Sequence, residues 1–336
     1  MRQIFRIESR YTAICQRSWT IAPAESQVVP AAIYLDGELE KVRGVQENTR
    51  LEAELLRVAG GMREHAATKA YQFKGVVLRN GRLLKGAMSH RVSALSQPDA
   101  ADGGGYMESA VLASTLMGSL YFGHWMRDDA SLNLAVQSIA PLVNIARQEY
   151  FHEQGYRELL ALHEQRIAHG NFGELVLLDD WGQNADKRCR YQKLRASFKS
   201  AIPISGNQRV YIKRADASDL RGRALLNADL LEQFLVQQGF AVVDPDTMSA
   251  QEIARFSNGA RLVVGLEGSH LAHSIYPIAD AGTLLVLQPP LRFNNVYKDL
   301  SDAMGLNYAF LVGEPAAGGF TVDLDRLGRL LDRVGA

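Results

Sequence analysis

The chain has 336 residues, 47% hydrophobic and 22% charged, an ordinary globular composition that is long enough for two domains with cores of their own. Lys plus Arg and Asp plus Glu both number 37, so the formal net charge is zero, which argues against a dedicated nucleic-acid binder but allows a local basic pocket. The two cysteines, Cys15 and Cys189, form no CxxC pair; neither zinc-knuckle nor thioredoxin chemistry is indicated, and two free thiols in a reducing compartment are expected.

Met1 to Thr20 carries Arg2, Arg6, Glu8, Arg10 and Arg17 and lacks the apolar core of a signal peptide. Val28–Leu35 and Lys74–Leu84 read as strands, the second folded at Asn80-Gly81 as a hairpin. Arg50–Thr68 reads as a helix, and Ala101–Gly105 (ADGGG) as a flexible loop. From Ser109 to Ile145 apolar residues recur at helical spacing, so helix is expected there, with Pro141 a kink or a fresh start. The apolar run Ala110–Met126 is broken by Ser114, Thr115, Ser119, Gly123 and His124, short of the ~20 residues a membrane span needs. The expectation is a cytoplasmic protein, with peripheral contact at the inner face of the membrane left open. Helix is expected again over Tyr150–Ala168, then a buried strand at Leu175–Leu178.

After Pro203 the rhythm is clearer. Strands are predicted at Val210–Lys213, Phe240–Val243, Arg261–Gly265, Thr283–Gln288 and Tyr308–Val312. Helices are predicted at Ala224–Gln238, Ser249–Asn258, Gly268–Ile275 and Asn295–Met304. Ser249 and Glu252 form a capping-box pattern. Strand alternating with helix predicts a parallel sheet covered on both faces, a Rossmann-like unit over Pro203–Gly313. Asp323–Val334 is an amphipathic helix, with Leu324, Leu327, Leu330 and Leu331 on one side.

Ligands of open parallel sheets bind at the carboxyl ends of the strands. There the sequence places Lys213, Arg214, Arg221 and Arg223, cations suited to a pyrophosphate, Arg by its planar fork. A solvated basic loop is the other reading. The turn Gly265-Leu266-Glu267-Gly268-Ser269-His270 follows a strand and opens a helix, whose free amides and dipole favour an anion; a plain strand-to-helix turn needs glycine too. Glu267, His270 and His273 could share one helix face, but no fourth metal ligand is evident. His124 and Asp128 lie four apart, as a pair able to orient a hydroxyl or take its proton, or as a helix end turning to solvent.

Taken together these segments resemble glycosyltransferase family 61, the group also described as capsular polysaccharide biosynthesis proteins. The likeness rests on His124-Trp125-Met126-Arg127-Asp128; on Tyr211-Ile212-Lys213-Arg214 with Arg221, Arg223 and Asn227; on Gly239-Phe240 to Pro245 with Ser249, Glu252, Ile253 and Phe256; and on Val263 to His273. It spans roughly Tyr106 to Val312. Glu267 stands where the family usually has His, and His273 where it usually has Asn.

The resemblance implies an α/β, GT-B-like fold, two Rossmann-like domains facing a central cleft, and an inverting transfer from a nucleotide-sugar to a glycan, with no cofactor and no required metal. Residues 1–200 would form an N-terminal acceptor-side domain (1–105 poorly readable), 201–320 the nucleotide-sugar-binding domain, and 321–336 a helix packing back. Asp128, then His124, would be the catalytic base. Arg214, Arg221, Arg223, Asn227, Glu267, Gly268, Ser269 and His270 would bind the donor. A non-catalytic glycan- or nucleotide-binding protein on the same fold is the alternative. An NAD-type Rossmann oxidoreductase is disfavoured, because no GxGxxG follows an early strand.

Overall fold

The computed structural model describes residues 11–94, 105–135, 139–214 and 223–335; Arg221 and all of the ADGGG stretch except Gly105 fall outside them. The chain divides into two compact units, Met1–Gln27 with Glu64–Lys193, and Val28–Arg63 with Leu194–Ala336. The sequence suggested boundaries near residues 200 and 320, and gave no sign that residues 28–63 group with the C-terminal half.

The first unit is built on an eight-stranded mixed sheet. Across it run Met88–Arg91, Arg82–Lys85, Thr68–Arg79, Gly170–Asp179, Tyr106–Leu112, Leu142–Ile145 and Gln165–Ile167, with Arg17–Ala22 also paired to Thr68–Arg79. Gly170–Asp179 is the pivot, antiparallel to Thr68–Arg79 and parallel to Tyr106–Leu112. The Asn80-Gly81 hairpin is present, both residues at positive φ (48° and 66°), the conformation a type I′ turn requires. On one face Tyr71, Phe73, Ala110, Leu175 and Leu177 interdigitate in a buried core.

The helix expected over Ser109–Ile145 is instead a strand, Tyr106–Leu112, then helical turns over residues 116–135, then the strand Leu142–Ile145. A short apolar run fits a buried parallel strand and a buried helix equally well, and only pairing decides between them. Here Leu175 and Val176 supply that pairing, opposite Ala110 and Val111. Likewise Tyr150–Ala168 is a shorter helix, Glu153–Leu159, followed by a strand, and Arg50–Thr68 is the helix Leu51–Ala59 followed by strands.

The second unit matches the sequence rhythm closely. Its five strands, Arg209–Ile212, Ala241–Val243, Leu262–Leu266, Thr283–Gln288 and Asn307–Val312, are all parallel. In chain order they lie 2-1-3-4-5 across the sheet, a doubly wound arrangement whose order reverses between the first and third strands. The capping box of Ser249 and Glu252 is formed at the start of Ala250–Ser257. The final helix, Leu324–Gly335, places Leu327, Leu330 and Leu331 in the same core as Leu285, Leu287 and Leu311; each such leucine stabilises by about 2 kcal/mol. Residues 28–63 join this unit through non-local bonds. Ile33 bridges to Ala309, and the fully buried Glu38 accepts from the Val312 amide at 2.7 Å and from the Arg326 guanidinium.

The α/β class is therefore as expected. Of the two Rossmann-like halves, the second has that parallel topology and the first is a mixed sheet.

Candidate functional site

Two clusters of polar side chains stand at strand ends, one in each unit. In the first, the chain leaves Tyr106–Leu112 and winds through Phe122–His124, a single π-turn Trp125–Asp129, and Ala130–Ala135. Such π-turns are frequent at functional sites. His124 Nδ1 lies 2.8 Å from Asp128 Oδ2. Arg127 donates to both carboxylate oxygens, Nε to Oδ1 at 2.9 Å and Nη2 to Oδ2 at 2.8 Å. A carboxylate only accepts, so Nδ1 carries the proton in its contact, which leaves Nε2 as the basic nitrogen. Arg127 Nη2, also 2.9 Å from Nδ1, is then a second donor aimed at the same oxygen.

Lys187, only 2% exposed, sits behind Asp128. Its ammonium is 3.5 Å from Asp128 Oδ1 and 3.5 Å from Asp180 Oδ2, and it donates to the Asp180 carbonyl at 2.7 Å. Asp180 follows the strand Gly170–Asp179 and takes a bidentate pair from Arg190 at 2.7 and 3.0 Å, plus the Thr68 hydroxyl at 2.7 Å. Burial alone would raise the Asp128 carboxyl; the charges of Arg127 and Lys187 and the bonds from His124 and Arg127 overcome it and hold it well below its usual value. Its neighbour Asp129 goes the other way. Burial, helped by the ionised Asp128 beside it, pushes it well above the usual value, against the bond from the Thr115 hydroxyl at 2.7 Å. Two adjacent carboxyls driven apart in this manner mark a site where protonation states are set by the fold.

In the second unit, Arg214 follows the first parallel strand and Glu267-Gly268 the third, the two sides of the switch in strand order. Arg214 Nη1 donates to the Glu267 carbonyl at 3.2 Å. Gly268 has φ 152°, a conformation that favours glycine, and a Cβ there would press on the His270 ring, at 3.1 Å from Nδ1; Arg214 Nη1 lies nearby, 3.7 Å from that position. Arg223 Nη1 reaches to 3.8 Å of Glu267 Oε2, Arg292 Nε to 3.4 Å, and Asn294 Nδ2 donates to Oε1 at 2.8 Å. The buried Glu267 side chain is thereby engaged at both oxygens, bridging two arginines. Beside them is a small concavity of about 80 Å³, lined by Tyr211, Lys213, Arg214, Arg223, Leu225 and Leu266.

His270 is half-buried, and its Nε2 is enclosed with no hydrogen-bond partner. Burial, and then the charges of Arg214 and Arg223, lower it to about 3, so it is a neutral imidazole. The expected helix after Gly268 is six residues of tight 3-10 turn, Ser269–Ser274; its dipole is correspondingly small, and the guanidinium groups dominate the local charge. Asn227 holds the segment after the strand Gly319–Thr321 and does not line the concavity: its amide donates to the Val322 carbonyl at 2.8 Å and accepts from the Val322 amide at 3.0 Å. Arg221 lies outside the described residues. No group of three or more His, Cys, Asp or Glu side chains is gathered for a metal among the described residues.

Arg127, Lys187, Asp180, Arg292 and Asn294 were not singled out from the sequence. Arg292 and Asn294 follow the strand Thr283–Gln288, so the strand-end rule could have found them. Asp180 also follows a strand, Gly170–Asp179, whereas Lys187 had no local signal, since its place beside Asp128 comes from a residue far along the chain.

Residues 122–286 match the family model described as Glycosyltransferase 61. The matched segment begins two positions before His124 and runs through Arg214, Arg223 and Glu267-Gly268; Arg292 and Asn294 follow it. No curated protein matches the chain.

Proposed function

We propose, from the premise that the chain belongs to glycosyltransferase family 61 through residues 122–286, that it transfers a sugar from a nucleotide-sugar donor to a hydroxyl of a glycan, with inversion and without a metal. The observation that carries this is the meeting of Arg214 with the Gly268 corner at the switch point of the parallel sheet. Arg214 and Arg223 would stabilise the charge that grows on the departing nucleoside diphosphate, an electrostatic contribution worth about 3–4 kcal/mol where one such donor is removed. The basic group of the first unit would act on the acceptor. His124 Nε2 takes the hydroxyl proton as the acceptor oxygen bonds to the anomeric carbon, and the bond from that carbon to the phosphate oxygen breaks, its electron pair leaving with the diphosphate.

This reverses the order the sequence suggested for the two base candidates. Asp128 is 6% exposed, both of its oxygens are taken, and its carboxyl is held well below the usual value, so it is a weak base. It is better suited to fixing the tautomer of His124, as the third member of a triad does. The reading includes a GT-B arrangement of the two units, a capsular-type polysaccharide as acceptor and a cytoplasmic setting. No helix among the described residues is long and apolar enough to cross a membrane.

Glu267 supports a second reading, a non-catalytic protein that binds glycans or nucleotides. Its carboxylate lies against Arg223 and Arg292 and reduces the charge they offer an anion. Turnover of UDP-, GDP-, CMP- and dTDP-sugars, assayed beside binding of the same compounds, separates the two. Transfer or hydrolysis of one donor, lost in Arg214→Ala, supports the enzyme; binding without turnover in any acceptor supports the module. An Arg214→Ala variant with near-normal transfer would reject the site.

A further inference from the structure

The sheet of the first unit has a second surface that the transfer chemistry leaves unused. On the four adjacent strands Arg17–Ala22, Thr68–Arg79, Gly170–Asp179 and Tyr106–Leu112, side chains alternate between faces. Phe73, Leu175 and Ala110 belong to the buried core. The alternate positions carry Arg17, Trp19, Gln72, Glu174 and Ser109, with Arg17 opposite Gln72 and Glu174 opposite Ser109. A concavity of about 430 Å³ lies over this row, with Ile139 and Ala140 also lining it, a size within the range of about 300–1,000 Å³ typical of small-ligand sites. The pivot strand, antiparallel to one neighbour and parallel to the other, presents a carboxylate on this face.

The lining has a definite chemistry. Trp19 packs part of its indole against the cluster of Ala70, Val111 and Val176, and the Arg17 guanidinium stands 5.2 Å over its ring. Gln72 Nε2 donates to Glu174 Oε2 at 2.6 Å, and Lys74 Nζ lies 3.9 Å from Glu174 Oε1. An indole capped by a guanidinium, beside a planar amide, a carboxylate and a hydroxyl, suits a pyranose, whose C–H face is apolar and whose edge is a ring of hydroxyls. Arg17 and Glu174 bring opposite charges to the row, so neither sign of ligand is favoured by net charge, and the polar floor disfavours a lipid or an apolar helix. We propose that this concavity is a second carbohydrate site, which holds a neutral glycan segment away from the catalytic groups. It uses neither His124 nor Arg214 and stands independently of the transfer reading.

Titration calorimetry and tryptophan fluorescence with neutral hexasaccharides of glucose, xylose and N-acetylglucosamine test it. At least one should bind the full-length protein. Trp19→Ala should lose that binding by roughly tenfold or more, Trp19→Phe should restore most of it, and Glu174→Gln, at a partly exposed position, should weaken it with the fold unchanged. His124→Ala and Arg214→Ala should bind as the parent does, so that loss of transfer and loss of this site are separate results. The proposal is overturned if the parent protein binds none of the three at about 10 mM, if Trp19→Ala binds normally in a folded protein, or if Arg214→Ala abolishes binding.

Discussion

The two polar clusters use charge in opposite ways. Around Asp128 the account is closed: Arg127, Lys187 and His124 face Asp128, Arg190 faces Asp180, and the groups behind His124 are almost wholly shielded from water. Around Gly268 the groups are gathered less tightly: Arg214 donates to the Glu267 carbonyl, Arg223 and Arg292 lie against its carboxylate, and His270 keeps an enclosed nitrogen without a partner. The closed cluster is organised to hold one side chain in one protonation state. The other brings guanidinium groups together at the ends of two parallel strands, the place where an anion would be met. A transferase needs both, one to manage a proton and one to manage a leaving group.

Variants on each side should break this contrast in different ways. The largest effect is expected from His124→Gln. Transfer should fall by about 10²–10⁴, the contribution of a positioned general base, while donor binding measured by calorimetry stays near normal; an active variant would return the base to another residue. Next is Lys187→Met, which leaves two buried carboxylates facing each other without their ammonium. Urea denaturation should show a loss of about 3–5 kcal/mol, and Lys187→Arg should recover part of it. If Lys187→Met is as stable as the parent, the closed character of the first cluster is wrong. Arg214→Ala should lower donor kcat/KM by about 10²–10³ with little change in melting temperature, because the bond Arg214 gives Glu267 is a part-buried one to a main-chain carbonyl and leaves no buried charge unpaired there.

The smallest effect separates the adjacent carboxyls. With its carboxyl pushed up, Asp129 holds a proton in the folded chain that it would release when unfolded. Its contribution to stability is present below the ordinary carboxylate value and is lost as pH rises toward the raised one. Asp129→Asn should therefore cost under about 1 kcal/mol at neutral pH and flatten the decline of stability above pH 4. Asp128, pushed down, has the opposite sign: its contribution is present at neutral pH and is lost only as pH falls below the ordinary carboxylate value. Consequently the pH profile of kcat/KM should show no inflection from Asp128 above pH 4. An inflection there that Asp128→Asn removes would make Asp128 the titrating base.

The second unit was readable because its strands are continuous apolar runs, closed by turn residues and joined by capped helices. RLVVG, TLLVLQ and YAFLV each became a parallel strand within a residue or two of the expected bounds. The first unit hid the same element in Tyr106–Leu112, whose apolar residues adjoin the helical turns after Thr115 and blend with them in any periodicity. Arg214 and Gly268 were legible from strand ends. Asn227 looked equally suitable, and only its bonds to Val322 show where its amide is spent.

What the sequence determined alone was local: the alternation of strand and helix after Pro203, the hairpin at Asn80-Gly81, the capping box at Ser249, and the positions of the His124–Asp128 and Arg214–Gly268 motifs. What the tertiary structure decided was how charge and burial are shared among residues distant in the chain. Lys187 and Asp180 came to stand behind Asp128, Arg292 against Glu267, and Glu38 under Arg326. Turn and helix preferences act within a few residues and are written in order. The protonation state of a carboxyl depends on which charges fold against it and how much water they exclude, and that is fixed only when distant strands pair.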